Sequence, residues 1–236
     1  MLWLFIPVGF FLGSIPFGLL IGKLKGVDIR DHGSGNIGTT NVFRTLGKKS
    51  GITCLILDLL KGFVPVLLAI NLARVDGSTI IFSIESLKNL TNPTLAFQQF
   101  AVQSIHVLTA LAAILGHNYS PWIGFKGGKG IATSGGALLA LMPVGVLLLI
   151  LIFIVVTKIT KYVSVGSIAT GIALPLLTIY GSWSHGKIAN GTWNKPLFIF
   201  SIVAGALAIW KHRSNITRLR AGTENKIGQK KEPVKS

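Results

Sequence analysis

The sequence predicts an all-α, polytopic membrane protein with about seven membrane segments. Three observations carry this. Half of the 236 residues are apolar and only 13% are charged, about half the charge content of an average soluble protein. Several apolar runs approach or exceed ~18 residues, the length that spans a bilayer core. The chain is strongly basic, with a net charge of +16, and its Lys and Arg residues sort to one side of the predicted topology.

Leu2 to Gly22 reads as the first span. Lys23 and Lys25 follow its apolar run rather than precede it. That order predicts an uncleaved helix with its N-terminus outside. A polar loop follows, and Ile52 to Ala73 reads as the second span. Asp58 and Lys61 lie inside it at i and i+3, so they share a helix face and pair; such a pair belongs in the protein interior rather than against lipid. After a mixed connection beginning at Arg74, Phe100 to Gly116 reads as the third span.

Ile131 to Thr157 is 27 residues long, with Pro143 near its middle. Lys126 and Lys129 before it and Lys158 and Lys161 after it all favour the cytoplasmic side. An even number of crossings satisfies both pairs. We therefore expect two short helices separated near Pro143, Ile131–Leu141 and Val144–Val156, re-entrant or in a thinned bilayer. Val163 to Trp183 and Pro196 to Trp210 complete the spans. Residues 1–236 then form a single integral-membrane domain with a short basic cytoplasmic tail from about residue 212. Only Arg74, Lys88, Lys187 and Lys195 fall outside, which leaves 19 of the 23 basic residues inside or near the inner interface. That asymmetry accounts for the basic balance without nucleic acid. One cysteine, Cys54, excludes an internal disulfide and a multi-cysteine metal site.

Three polar stretches share the predicted cytoplasmic face. The first is "GSGNIGTTNVFR", Gly33 to Arg44. Glycine gives permissive backbone, Ser34, Asn36 and Asn41 give neutral hydrogen-bonding groups, and Arg44 can grip a phosphate with two parallel bonds. The second is "GHNYSPWIGFKGGKGIAT", Gly116 to Thr133. Its bare backbone lets amide N–H groups approach an anion at the start of the helix near Ile131, with Lys126 and Lys129 supplying charge. The wording is not a nucleotide P-loop, because Gly130 rather than a hydroxyl residue follows Lys129. The third is "HRSNITRLRAGTENK", His212 to Lys226. If helical, it sets His212, Asn215 and Arg218 along one face. Ser164 adds a hydroxyl at the cytoplasmic end of a span.

In this order the patches resemble the acyl-phosphate-dependent glycerol-3-phosphate acyltransferases of bacteria, the PlsY type. The family pattern GSGN-x-G-x-x-N-x-x-R is matched from Gly33 to Arg44. GH followed by FKGGKG-x-A-T is matched from Gly116 to Thr133, and H-x-x-N-x-x-RL-x-x-G-x-E-x-K from His212 to Lys226. The H-x-x-x-x-D motif of the soluble-type acyltransferases is missing at all five histidines.

The resemblance implies transfer of a fatty acyl group from acyl phosphate to the 1-hydroxyl of sn-glycerol 3-phosphate, the first acylation of phospholipid synthesis. The products are 1-acylglycerol 3-phosphate (lysophosphatidic acid) and phosphate. It implies catalytic roles for Ser34, His212 and Asn215, and glycerol 3-phosphate binding by Arg44, Lys126, Ser164 and Arg218. Gly127, Gly128, Lys129, Gly130 and Thr133 would hold the acyl phosphate, supported by Asn36, Asn41, His117 and Glu224. The base is either His212 or the substrate's own phosphate. An activated mixed anhydride calls for no cofactor and no metal, and the two substrates and the lipid bilayer are the expected partners, with no nucleic acid and no obligate protein partner. The location implied is the bacterial cytoplasmic membrane, with N-terminus outside and C-terminus and active site inside. A membrane transporter for an organic phosphate is the rival reading; it would share the basic glycine-rich pocket and broken helices.

Overall fold

The computed structural model describes residues 2–73 and 95–228, and all regular structure among them is helical. Arg74, Lys88 and the end of the tail lie outside the described residues. The expected first span is two helices, α1 (Phe5–Ser14) and α2 (Phe17–Lys23). Pro16 has no N–H and its ring crowds the preceding turn, so the helix breaks there. The freed carbonyls find new donors: Ser120 Oγ gives a 2.6 Å bond to Ser14 O, and Lys61 Nζ a 2.7 Å bond to Ile15 O. At membrane depth backbone irregularity persists only where such partners exist.

Helix α3 (Thr39–Leu72) starts well before the expected Ile52 and runs 34 residues. The sequence reads as loop up to Gly51, so the helix from Thr39 to Gly51 differs from that expectation. Its first part, Thr39 to Leu46, is helical because Val42 and Leu46 pack into an apolar cluster with Leu19, Ile29 and Ile37. Gly47 takes φ 82°, which lets the chain bend before the membrane-spanning part begins. Helix α4 (Leu95–Asn118) contains the expected third span.

The break near Pro143 is present, between α5 (Ile131–Leu141) and α6 (Pro143–Thr160). At 1.5 Å per residue α5 is about 16 Å long, about half a hydrocarbon core. Helix α6 has 18 residues, longer than expected, and is apolar enough to cross the membrane. Helices α7 (Val163–Ser184) and α8 (Lys195–Lys211) follow as read. The tail then turns by 51° at His212 into a short helix, α9 (Arg213–Arg220). Among the described residues five spans pass on length and apolarity, α8–α9 makes six, and the short α5 is the seventh segment.

Packing depends on small residues, as expected where lipid supplies no hydrophobic drive between helices. Helix α1 lies against α4 with Gly9 over the Thr109 carbonyl and Gly13 over that of Ala113. Helix α5 lies against α3 through Gly62 and Gly136, each pressed on the other helix's backbone. Val66, Ile114, Ala137, Leu138 and Leu149 form the apolar core around α5. Outward-facing Leu147, Leu151 and Ile159 of α6 are exposed, as a lipid-facing helix requires. The short helix is thus held in the middle of the bundle, with its N-terminus at the end where the polar patches gather.

A methyl group at Gly13 would overlap the Ala113 backbone, whereas one at Gly181 meets nothing within 4 Å. Gly13→Ala should therefore lower the melting temperature in detergent, with an overpacking cost of about 1–3 kcal/mol, and Gly181→Ala should not. Equal melting temperatures would show that the α1–α4 contact is looser than this.

Candidate functional site at the loop end of the bundle

Helix α4 ends at Asn118, and a 3-10 turn, Pro121–Ile123, leads into the glycine loop. The loop folds back across the end of α4. The Gly128 amide donates a 3.1 Å bond to the His117 carbonyl. A side chain at Gly127 would strike the backbone of His117 and Asn118, and one at Gly128 would strike His117 Nε2. These glycines are therefore required for close approach to the helix end, before any ligand is considered. Gly130, at φ 79°, sets the start of α5 without a side-chain cap. The first-turn amides of α5 thus open toward the loop, an arrangement suited to an anion.

One carboxylate organises the other side. Glu224 Oε1 accepts 2.6 Å and 2.8 Å bonds from Asn215 Nδ2 and Ser164 Oγ, and Oε2 a 2.7 Å bond from Arg218 Nε. Lys129 Nζ donates a 2.5 Å bond to Asn215 Oδ1. The glycine loop, α7, α9 and the tail are joined in this one network. Burial alone would raise the Glu224 carboxyl, but the bonds from Asn215, Arg218 and Ser164 hold it below the usual carboxylate range. Burial pushes the Lys129 ammonium down to about 8, aided by the Arg218 and Arg44 cations and opposed by Glu224.

His212 sits at the α8–α9 bend and is buried. Its Nδ1 lies 2.7 Å from the Ala208 carbonyl, which can only accept, so Nδ1 carries the hydrogen. In the neutral ring that leaves Nε2 as a bare acceptor. Lys211 donates a 3.1 Å bond to the Asn118 carbonyl and lies 4.5 Å from the Tyr119 ring centre, tying the end of α8 to the end of α4. The tail is pinned where the Ile227 amide gives a 2.9 Å bond to Lys161 O, in the turn between α6 and α7.

The first patch is shaped by its asparagines. Asn41 accepts from the Ser34 amide at 2.8 Å and donates to the carbonyls of Ile29 and His32 at 2.9 and 3.0 Å. Asn36 accepts from the Gly38 amide at 2.8 Å. This bracket presents an exposed Ser34, with exposed Arg44 a little further along α3. Arg44 is near enough for its charge to act on Lys129.

The structure thus brings Lys129, Ser164, Asn215, Arg218 and Glu224 together by direct bonds, with Arg44 in electrostatic reach. Ser34 and the exposed Lys126 have no bond to that cluster among the described residues. Thr133, in the first turn of α5, is fully buried with an unpartnered hydroxyl, and the buried Asn118 amide likewise has no partner among the described residues. Sequence reasoning missed Asn118, Lys211 and the Lys161 turn. By sequence Lys211 is only one of many cytoplasmic cations, although its place beside His212 is a usable signal. Chemically, Lys129, Arg44, Arg218 and Lys211 outnumber the single carboxylate, so the site attracts anions. The bare imidazole nitrogen adds a proton acceptor.

The family model for glycerol-3-phosphate acyltransferase matches residues 3–222. The glycerol-3-phosphate acyltransferase of Desulforamulus reducens is 43% identical over 223 residues, 94% of this chain and 93% of that one. That of Fusobacterium nucleatum is 42% identical over 224 residues, 94% and 96% of the two chains. Among solved structures, the glycerol 3-phosphate form of PlsY, an integral membrane glycerol 3-phosphate acyltransferase, is similar at TM-score 0.74 and 36% identity, covering 96% of each chain. The lysophosphatidic acid form gives 0.72 and 35%, covering 96% and 95%.

Lys129 is a cation below about pH 8 and neutral above it. The dissociation constant for a phosphate dianion should therefore rise several-fold between about pH 7 and 9, as the ammonium charge is lost. Lys129→Arg, which keeps its charge over this range, should flatten the profile. An unchanged profile in that variant would place the titrating group elsewhere.

Proposed function

The chain belongs to the glycerol-3-phosphate acyltransferase family, and we propose that it takes its acyl group from an acyl phosphate and delivers it to the 1-hydroxyl of glycerol 3-phosphate. Acylation of glycerol 3-phosphate follows from the family. The similar solved structures carry, by their descriptions, glycerol 3-phosphate in one case and lysophosphatidic acid in the other. These compounds stand on the substrate and product sides of that acylation. The family match lends no support to an organic-phosphate transporter.

One observation carries the reading of the site. The Lys129–Asn215–Glu224 network joins the glycine loop to the His212 bend and Arg218. Two phosphate-bearing substrates need two neighbouring anion sites, and this network separates and links two such regions. The loop side supports a donor phosphate through Lys129, the start of α5 with Gly130 and Thr133, and the backbone near Gly127. The Gly128 amide is engaged by His117 O, so Gly128 serves by its bare surface rather than by its N–H. The other side supports glycerol 3-phosphate through Arg44, Lys126, Ser164 and Arg218, with Asn215 between the two and Ser34 beside the reacting carbonyl.

In the reaction the glycerol hydroxyl attacks the carbonyl carbon of the mixed anhydride. The new ester C–O bond forms, the bond to the phosphate oxygen breaks, and phosphate leaves with its electron pair. The hydroxyl proton passes to His212 Nε2, or to the substrate's phosphate with His212 orienting it. The bare Nε2 left by the Ala208 bond favours the first. Lysine and arginine charge offsets the charge on the leaving phosphate.

The distribution of Lys and Arg supports one integral-membrane domain in the bacterial cytoplasmic membrane, with the site and C-terminus cytoplasmic and the N-terminus outside. Both claims meet in one experiment. Acyl phosphate and glycerol 3-phosphate are supplied outside sealed vesicles that hold the protein inside-out or right-side-out. Phosphate release requiring both substrates is expected from inside-out vesicles alone. Formation of acylglycerol 3-phosphate with acyl thioester but not with acyl phosphate would overturn the donor, and equal phosphate release from both vesicle types would overturn the orientation.

A further inference from the structure

The pair read from the sequence as Asp58 and Lys61 is buried inside the bundle, with 1% and 5% of the two residues exposed. Lys61 Nζ lies 2.8 Å from Asp58 Oδ1 and also donates to Ile15 O, at the break between α1 and α2. Cys54 Sγ approaches Asp58 Oδ2 at 3.7 Å. The remaining neighbour is His117, whose Nδ1 is 3.8 Å from Asp58 Oδ1 and has no hydrogen-bond partner among the described residues. The opposite side of His117 carries the glycine loop. Its carbonyl holds the Gly128 amide, and its Nε2 occupies the space a Gly128 side chain would need.

We propose that Asp58, anchored by Lys61, is a positioning residue: it orients the His117 imidazole and through it sets the glycine loop for the acyl donor. At 3.8 Å the carboxylate acts on Nδ1 by charge rather than by a hydrogen bond, favouring the ring hydrogen on that nitrogen and so biasing tautomer and ring orientation. The fixed ring is the floor on which Gly128 rests. Stability alone does not call for charges here, because a buried ion pair is commonly replaced by packed apolar side chains without loss. An ionisable pair retained at membrane depth points to function. Lys61 extends the same device to the α1–α2 break, so the loop, α3 and the broken first span share one fixed point. This inference rests on the reading of the glycine loop as the donor site.

The test is a set of variants assayed with acyl phosphate and glycerol 3-phosphate, each checked for a cooperative melt in detergent. Asp58→Leu with Lys61→Met removes both charges together and so avoids a stranded ion. It should fold, raise the KM for acyl phosphate by about tenfold, and leave the glycerol 3-phosphate KM within about twofold. His117→Leu should show the same split. His117→Asn, whose amide can stand in for Nδ1–H, should recover most of the donor affinity. An unchanged donor KM in the folded double variant overturns the proposal, as does an equal rise in both KM values. Failure of every variant to fold also overturns it, since the pair would then serve stability alone. Gly128→Ala separates the two readings. If it raises the donor KM while the double variant does not, only this inference fails. If neither changes the donor KM, the reading of the loop fails first.

Discussion

The Glu224 carboxylate is the constraint on which the rest of the site depends. It is almost fully buried in a chain with a large positive excess, and it accepts from Ser164, Asn215 and Arg218 at once. A hydrogen bond to a charged group contributes about 1.5–3 kcal/mol. A buried carboxylate without partners would be strongly unfavourable, so the tail has one low-energy way to lie. That way aims Asn215 Oδ1 at Lys129 and holds Arg218 beside it. Remove the carboxylate and Arg218, Asn215 and Ser164 lose their common acceptor, and Lys129 loses the amide that Asn215 holds toward it. The like charges of Arg44 and Lys129, which already act on each other, would then lose the nearby carboxylate that opposes them.

The membrane part of the fold serves the same geometry. An 11-residue helix such as α5 does not cross a bilayer by itself. It is stable because Gly62 and Gly136 let it press against α3, and because the loop and α4 cover its N-terminus. The result is a helix start, with its unpaired amides, where spans and polar patches meet. An acyl chain and a phosphate have opposite solvent preferences, and this is the depth at which both can be met. The break in the first span has the same logic, since its freed carbonyls are taken by Ser120 and Lys61 from neighbouring segments.

Much of this was legible in the sequence, for identifiable reasons. Apolar run length located α4, α7 and α8, and Pro143 together with the flanking lysines located the α5–α6 break. The spacing of Asp58 and Lys61 foretold their pairing. What escaped was set by tertiary contact rather than local pattern. Thr39 to Leu46 looks like loop because it is polar, but Val42 and Leu46 are enough to hold it helical against α2. Pro16 lies in a continuous apolar run, and only its missing N–H marks the break. In the site, the composition of each patch was readable and the partnership between patches was not. Lys129 and Asn215 are 86 residues apart, and no periodicity relates them. The reason for glycine at 128 also differs from the sequence reading: the need for His117 comes before the need for a ligand.

The most direct measurement is limited trypsin digestion of Glu224→Ala beside the parent protein, with glycerol 3-phosphate binding followed on the same samples. If the carboxylate organises the site, cleavage at Arg218 and Arg220 should accelerate strongly and binding should be lost with it. Cleavage in the remainder of the chain should stay unchanged, because the core around Val66, Ala137 and Leu149 does not depend on the tail. A variant that resists trypsin as the parent does and still binds glycerol 3-phosphate would contradict the account.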